Sequence, residues 1–207
     1  MKSKINPKSC DPKEVRLQNI IDMGLNFTSM MRLYRKNSKQ TLEKKILSKL
    51  GDIFNAGDKV TFDKIHSDFC HWGVKNIYLA KNRGNDHASY GQIAKTFDVV
   101  LKVAIYYSHL PNRKKSNEIS KWLNSAVDNK MMAMLKRKYR KKLCPWPVSI
   151  KHVKEDNYKG LQEMVRKFIQ EEHDNKILPV QFDDIYWNFL NDKAWYRLSN
   201  FCNIPEV

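Results

Sequence analysis

The sequence predicts an all-α fold, a compact single-domain bundle of about six to eight helices packed around one buried helix. Three observations carry this expectation. The stretch 89–110 is the longest apolar passage and repeats Ile93, Phe97, Val100, Leu101, Ala104 and Ile105 at helical spacing, with Val99 and Val103 widening the stripe. The flanking segments repeat apolar residues three and four apart, and none alternates polar with apolar over the length of a strand. Only seven Gly and seven Pro occur in 207 residues, too few for the turns of a sandwich or barrel. The polar exceptions of the central helix, Lys95, Asp98 and Lys102, fall on one line and can pair as an ion ladder, with Asp98 N-terminal to Lys102 in the favourable order.

The elements follow in chain order. Residues 1–10 read as a disordered basic lead-in, and 11–207 as the helical domain. Asp11-Pro12-Lys13-Glu14 is a helix start: Asp caps, Pro occupies the first helical position, and Glu14 reaches back. A second helix is expected from about Thr41 and ends in the turn residues Asn55-Ala56-Gly57-Asp58. A third follows Thr61 with Phe62, Ile65, Phe69, Val74, Ile77 and Tyr78 inward, and Gly73 on it allows a close neighbour. The polar loop 82–87 leads into the central helix, which Asp86 or Ser89 caps. A fifth helix is expected from about Ser116 through Leu135 into the cations 136–142. Pro145 and Pro147 exclude helix around Trp146. A sixth helix carries Tyr158, Leu161, Val165 and Phe168, and a seventh starts at Pro179. A short last one holds Trp195, Leu198 and Phe201.

Charge is the compositional fact with functional weight. The formal net charge is +16, and it is unevenly spread. Residues 1–50 hold twelve Lys or Arg against four Asp or Glu, and residues 111–142 hold eleven against two. Residues 151–207 hold eight against ten. Such asymmetry favours polyanionic partners, DNA or RNA first and an acidic protein second. The four cysteines stand far apart with no C-x-x-C, which suits a reducing compartment and neither a zinc site nor a disulfide framework. No signal peptide and no charge-free span of membrane length is read, so the expected location is the cytoplasm, without a membrane partner. No cofactor is expected, since Gly-rich phosphate loops and metal-ligand spacings are missing from the sequence.

Tyr90-Gly91-Gln92-Ile93-Ala94-Lys95 is flanked by Phe62, His66 and Cys70 upstream and by Leu110-Pro111, Val127-Asp128, Pro145-Trp146, Tyr158-x-x-Leu161-Gln162 and Trp187 downstream. Over roughly residues 60–190 this resembles a group of small helical bacterial proteins without assigned activity. The resemblance implies only a self-contained helical domain.

Four constellations could carry chemistry. Lys136, Arg137, Lys138, Arg140, Lys141 and Lys142, with Tyr139 among them, form the densest basic run. On a helix such a run projects into solvent on nearly every side, where the cations meet phosphates and Tyr139 can stack on a base. Arg32, Arg35 and Lys36 are expected to add to that surface. Arg83 and His87 resemble the Arg-x(4–6)-His motif of HEPN-type ribonucleases. The resemblance implies phosphate stabilisation by Arg83 and acid–base work by His87, at a spacing one residue short. His66 and Cys70, four apart with His71 alongside, could be ligands or an activated thiol, but apolar neighbours make core packing the simpler reading. Asp183 and Asp184 read as a solvated acidic face with helix-dipole partners. The leading functional expectation is nucleic-acid binding through a basic surface. The alternatives are metal-independent RNA cleavage and a protein-interaction module of a defence or toxin-like system.

Overall fold

A computed structural model describes residues 11–80, 86–140 and 145–191 of the chain. Eight α-helices and no β-strand occur among them. They are α1 (Pro12–Phe27), α2 (Lys36–Phe54), α3 (Lys59–Asn76), α4 (Tyr90–Leu101), α5 (Arg113–Ser120), α6 (Asn129–Tyr139), α7 (Glu155–His173) and α8 (Pro179–Asn191). Short 3-10 turns stand at Ser29–Arg32 and Ile150–His152. The expected lead-in 1–10 and the helix around Trp195, Leu198 and Phe201 lie outside the described residues.

The helix starts follow their caps. The Asp11 carboxylate accepts from the Lys13 amide at 2.9 Å, with Pro12 at the first helical position. Asp58 accepts from the Thr61 amide at 2.7 Å, so α3 begins at Lys59, ahead of its expected start. Ser89, not Asp86, caps α4. Its hydroxyl accepts from the Gln92 amide, and the Gln92 side chain accepts from the Ser89 amide at 2.9 Å, a reciprocal capping box.

The expected fifth helix is two helices. Between α5 and α6 the backbone of Ser125 is served by α7 instead of by a helical ladder, and α7 also holds the Asn124 side chain. The Gln162 side chain accepts from the Ser125 amide at 3.0 Å and donates to the Ser125 carbonyl at 2.8 Å, and Arg166 donates to Asn124 Oδ1 at 3.1 Å. Asp128 then restarts the chain by accepting from the amides of Lys130 and Met131.

The central position of α4 is borne out, and two glycines show how closely it is wrapped. A Cβ built on Gly73 of α3 would lie 2.5 Å from the Ile93 side chain. One built on Gly91 of α4 would lie 2.5 Å from Val153 Cβ and 2.8 Å from the Ile150 carbonyl. Either position admits only hydrogen. One apolar core surrounds the helix from Ile20 to Tyr186, and the Phe69 and Phe97 rings stack at 3.8 Å between α3 and α4.

The passage 89–110 is not one uniform helix. It is α-helical to Leu101 and then widens into a π-helical segment, Lys102–Tyr107, in which the Ser108 amide reaches back to the Val103 carbonyl at 3.0 Å. The ion ladder does not form. Asp98 and Lys102 are buried, at 3% and 6% exposure, and each turns to a different distant partner. No helix among the described residues is long and apolar enough to cross a membrane.

Candidate functional site

The described part of the basic run splits into two faces. Lys136, Arg137 and Arg140 are exposed, and no carboxylate pairs with them among the described residues. Lys138 is held instead: its ammonium is 3.2 Å from Glu171, pairs with Glu172, and lies 4.6 Å from the centre of the Phe168 ring. Tyr139 is 6% exposed and donates to Glu171 at 2.7 Å, while burial pushes its pKa up. The ring packs against the core and has no open face for a base, which corrects the stacking role expected of it. Lys141 and Lys142 lie outside the described residues.

The N-terminal cations are scattered by their contacts. Arg32 is exposed on the 3-10 turn after α1, and Lys36 is exposed at the first position of α2. Arg35 is partly buried. Its Nε donates to the Leu79 carbonyl at 2.9 Å, and its guanidinium lies 5.2 Å from the Tyr78 ring centre. His87 is exposed, with its ring 4.2 Å from that of Tyr78. Arg83 lies outside the described residues.

His66 and Cys70 belong to the core, joined by a residue that the sequence pattern assigned elsewhere. His66 Nε2 lies 2.8 Å from Asp98 Oδ1, and the Tyr158 hydroxyl donates to Asp98 Oδ2 at 2.8 Å. The Cys70 sulfur is 3.8 Å from His66 Nδ1, and the His66 and Tyr158 rings stack at 5.5 Å. Burial pushes the Cys70 thiol and the Asp98 carboxyl up. Burial opposes charge on His66, but the Cys70 and Asp98 beside it outweigh burial and raise its pKa well above the usual histidine range. A fully buried thiol with a raised pKa is a poor nucleophile. His66 and Tyr158 reach one wall of a cavity of about 250 Å³ shared with Asp63, Ser67, Tyr90 and Arg166. His71 stays apart, 2.9 Å from Glu155, and no metal-binding cluster occurs among the described residues.

The second partnership opens onto a cleft of about 520 Å³. Lys102 Nζ lies 2.8 Å from Asp183 Oδ2 and also pairs with Asp184, to which the Tyr107 hydroxyl donates at 2.7 Å. Asp183 is therefore not on the solvated acidic face expected of it, while Asp184 is paired with Lys102 yet stays partly exposed. The Asp183 side chain is 13% exposed, because α8 turns it inward onto the π-helical segment. Burial raises its pKa to about 6 despite the opposing Lys102. Its Oδ1 is buried and finds no hydrogen-bond partner among the described residues. Lys95 and Arg32 line the same cleft. Burial lowers the Lys95 pKa, and the Asp128 carboxylate lies 4.0 Å from its ammonium. Compared with protein-family models, curated proteins and solved structures, the chain matches none.

Proposed function

We propose that this protein binds nucleic acid through phosphate contacts from a basic surface centred on the C-terminal end of α6. The observation that supports the reading is the contrast within one helical turn. Lys138 is neutralised by Glu171 and Glu172, whereas Lys136, Arg137 and Arg140 face solvent without a carboxylate partner among the described residues. In a chain of net charge +16 these cations meet a polyanion before they meet anything else. Arg32 and Lys36 extend the same chemistry at the corner between α1 and α2. Contacts of this kind position a strand without reading its bases, so binding tolerates sequence and falls steeply with salt.

The test is an electrophoretic shift with single- and double-stranded DNA and RNA over a salt series. Wild type is compared with the triple variant Lys136→Gln, Arg137→Gln, Arg140→Gln. The expected outcome is a wild-type shift whose logarithmic salt slope drops by about two to three in the variant, one condensed counterion per lost contact. A folded wild type that shifts no polymer at low salt overturns the reading, and so does a variant with an unchanged slope.

A further inference from the structure

We propose that the groove between α1 and the π-helical segment docks an amphipathic helix of a partner protein, whose apolar stripe is flanked by carboxylates. The proposal is independent of the nucleic-acid reading, which rests on α6.

Two cavities make the groove, and α1 forms a wall of each. The cleft of about 520 Å³ beside Lys102 takes Phe27 from the end of α1 and Arg32 from the turn after it. A second cavity, of about 580 Å³, takes Val15, Arg16 and Met23 from earlier turns. Tyr107 lines both, so they adjoin at that ring. From Val15 to Phe27 the wall is about 18 Å long, at a rise of roughly 1.5 Å per residue. Gly24 seats α1 on α4: a Cβ there would stand 2.9 Å from Val100 Cα. The face of α1 turned inward buries Ile21 and Leu25, and Met23 and Phe27 are left uncovered. Among the described residues eight large hydrophobic side chains are exposed, and four line this groove: Val15 at 42%, Met23 at 47%, Phe27 at 66% and Tyr107 at 49%. Single exposed apolar side chains are ordinary, whereas half of them along one groove mark a contact surface.

Charge and shape select the occupant. Arg16 and Arg32 are exposed toward opposite ends of the groove and make no ion pair among the described residues. The carboxylates that line it, Asp128, Asp183 and Asp184, already face a lysine ammonium. The charge left over is positive, and carboxylates flanking a docked stripe pair with the two arginines. A helix suits the space because it satisfies its own backbone while laying one apolar face into a groove. No β-strand occurs among the described residues, so an extended partner finds no sheet edge to join. A second copy brings a net charge of +16 and the same arginines to the contact. A bilayer takes up apolar residues that protrude, not the walls of a concave groove.

Fluorescence anisotropy of three labelled peptides titrated with the full chain tests the proposal. All are stapled as helices and share one stripe of Leu and Phe at helical spacing, with Glu, Gln or Lys on its flanks. The Glu peptide is expected to saturate one site about tenfold more tightly than the Gln peptide, with the Lys peptide weakest. Phe27→Ala is expected to weaken the Glu peptide about tenfold without shifting Tm, and Met23→Asp at least as much. Val60→Asp, at an apolar side chain 79% exposed that does not line the groove, is expected to change nothing. Arg16→Glu combined with Arg32→Glu is expected to reverse the order in favour of the Lys peptide. No saturable binding, equal affinities for the three peptides, or a Phe27→Ala protein that binds like wild type overturns the proposal. The triple variant of α6 is expected to keep the Glu peptide; its loss would put the peptide on α6 and overturn the groove. Equimolar phosphatidylserine and phosphatidylcholine vesicles bound by wild type but not by Phe27→Ala would overturn it in favour of a lipid surface. A peptide of residues 192–207 that outcompetes the Glu peptide would overturn it in favour of the chain's own segment.

Discussion

Two charged residues interrupt the same apolar rod one helical turn apart, and the surroundings of Asp98 and Lys102 differ in kind. Asp98 is enclosed by α3 and α7. Both of its oxygens are within hydrogen-bond range of His66 or Tyr158, and aromatic rings stack over the contact. Lys102 reaches α8 across a cleft, meets two carboxylates with one ammonium, and leaves a carboxylate oxygen without a donor among the described residues. The first arrangement is complete within the described residues and fixes how three helices pack. The second is incomplete and adjoins open space. A satisfied buried network specifies structure, whereas a half-satisfied one beside a cavity is where binding is to be sought.

The contrast can be broken first at Asp98. Asp98→Ala removes the acceptor of both His66 and Tyr158 and is expected to cost about 3–5 kcal/mol, read as a lowered urea midpoint at constant slope. Lys102→Met separates two carboxylates from their cation. Asp184 is 39% exposed and can turn to water, so the expected cost is smaller, about 2 kcal/mol in the same measurement. A Lys102→Met protein less stable than Asp98→Ala would reverse the assignment of which cluster specifies the fold.

The third prediction uses pH. The Asp183 pKa is raised in the folded protein to about 6, above the ordinary carboxyl value of 3.8. Between those values the folded chain holds a proton that the unfolded chain has released, so this residue's contribution to stability grows as pH falls through 6 and fades above it. Wild type is expected to gain about 1 kcal/mol relative to Asp183→Asn on going from pH 7 to pH 5, read from paired denaturation curves. The smallest effect belongs to the cleft wall. Phe27→Ala is expected to leave stability within about 0.5 kcal/mol in the same measurement, because its ring is exposed.

The fold class and the central helix were legible because both rest on periodicity, which needs no knowledge of partners. The starts at Asp11 and Ser89 were legible for a similar reason, since a cap acts within three residues. The fates of Asp98 and Lys102 were not. Spacing places them on one line of a helix but is silent on what packs there. Their partners stand far away in sequence: His66 is 32 residues from Asp98, Tyr158 is 60 residues from it, and Asp183 is 81 residues from Lys102. One signal was present: a helix apolar over most of its circumference leaves little solvent-facing surface, so charges on it need buried partners. The split between α5 and α6 was hidden similarly, because the groups that replace the helical ladder at Ser125 come from Gln162 on α7. Of the basic run, exposure at Lys136, Arg137 and Arg140 matched the expectation, while Tyr139 did not, since its neighbour Glu171 belongs to another helix.

The glycine contacts around α4 have a kinetic consequence. Gly73 and Gly91 let parts of the chain distant in sequence close onto one rod with no room for a methyl group. Such a rod cannot shed a single neighbour and remain wet on one side. Its amides should exchange with deuterium only through global opening, while those of the widened turn at 102–107 exchange through smaller, local excursions. The boundary near Leu101 then divides a slow clock that reports the stability of the whole molecule from a fast one beside the cleft.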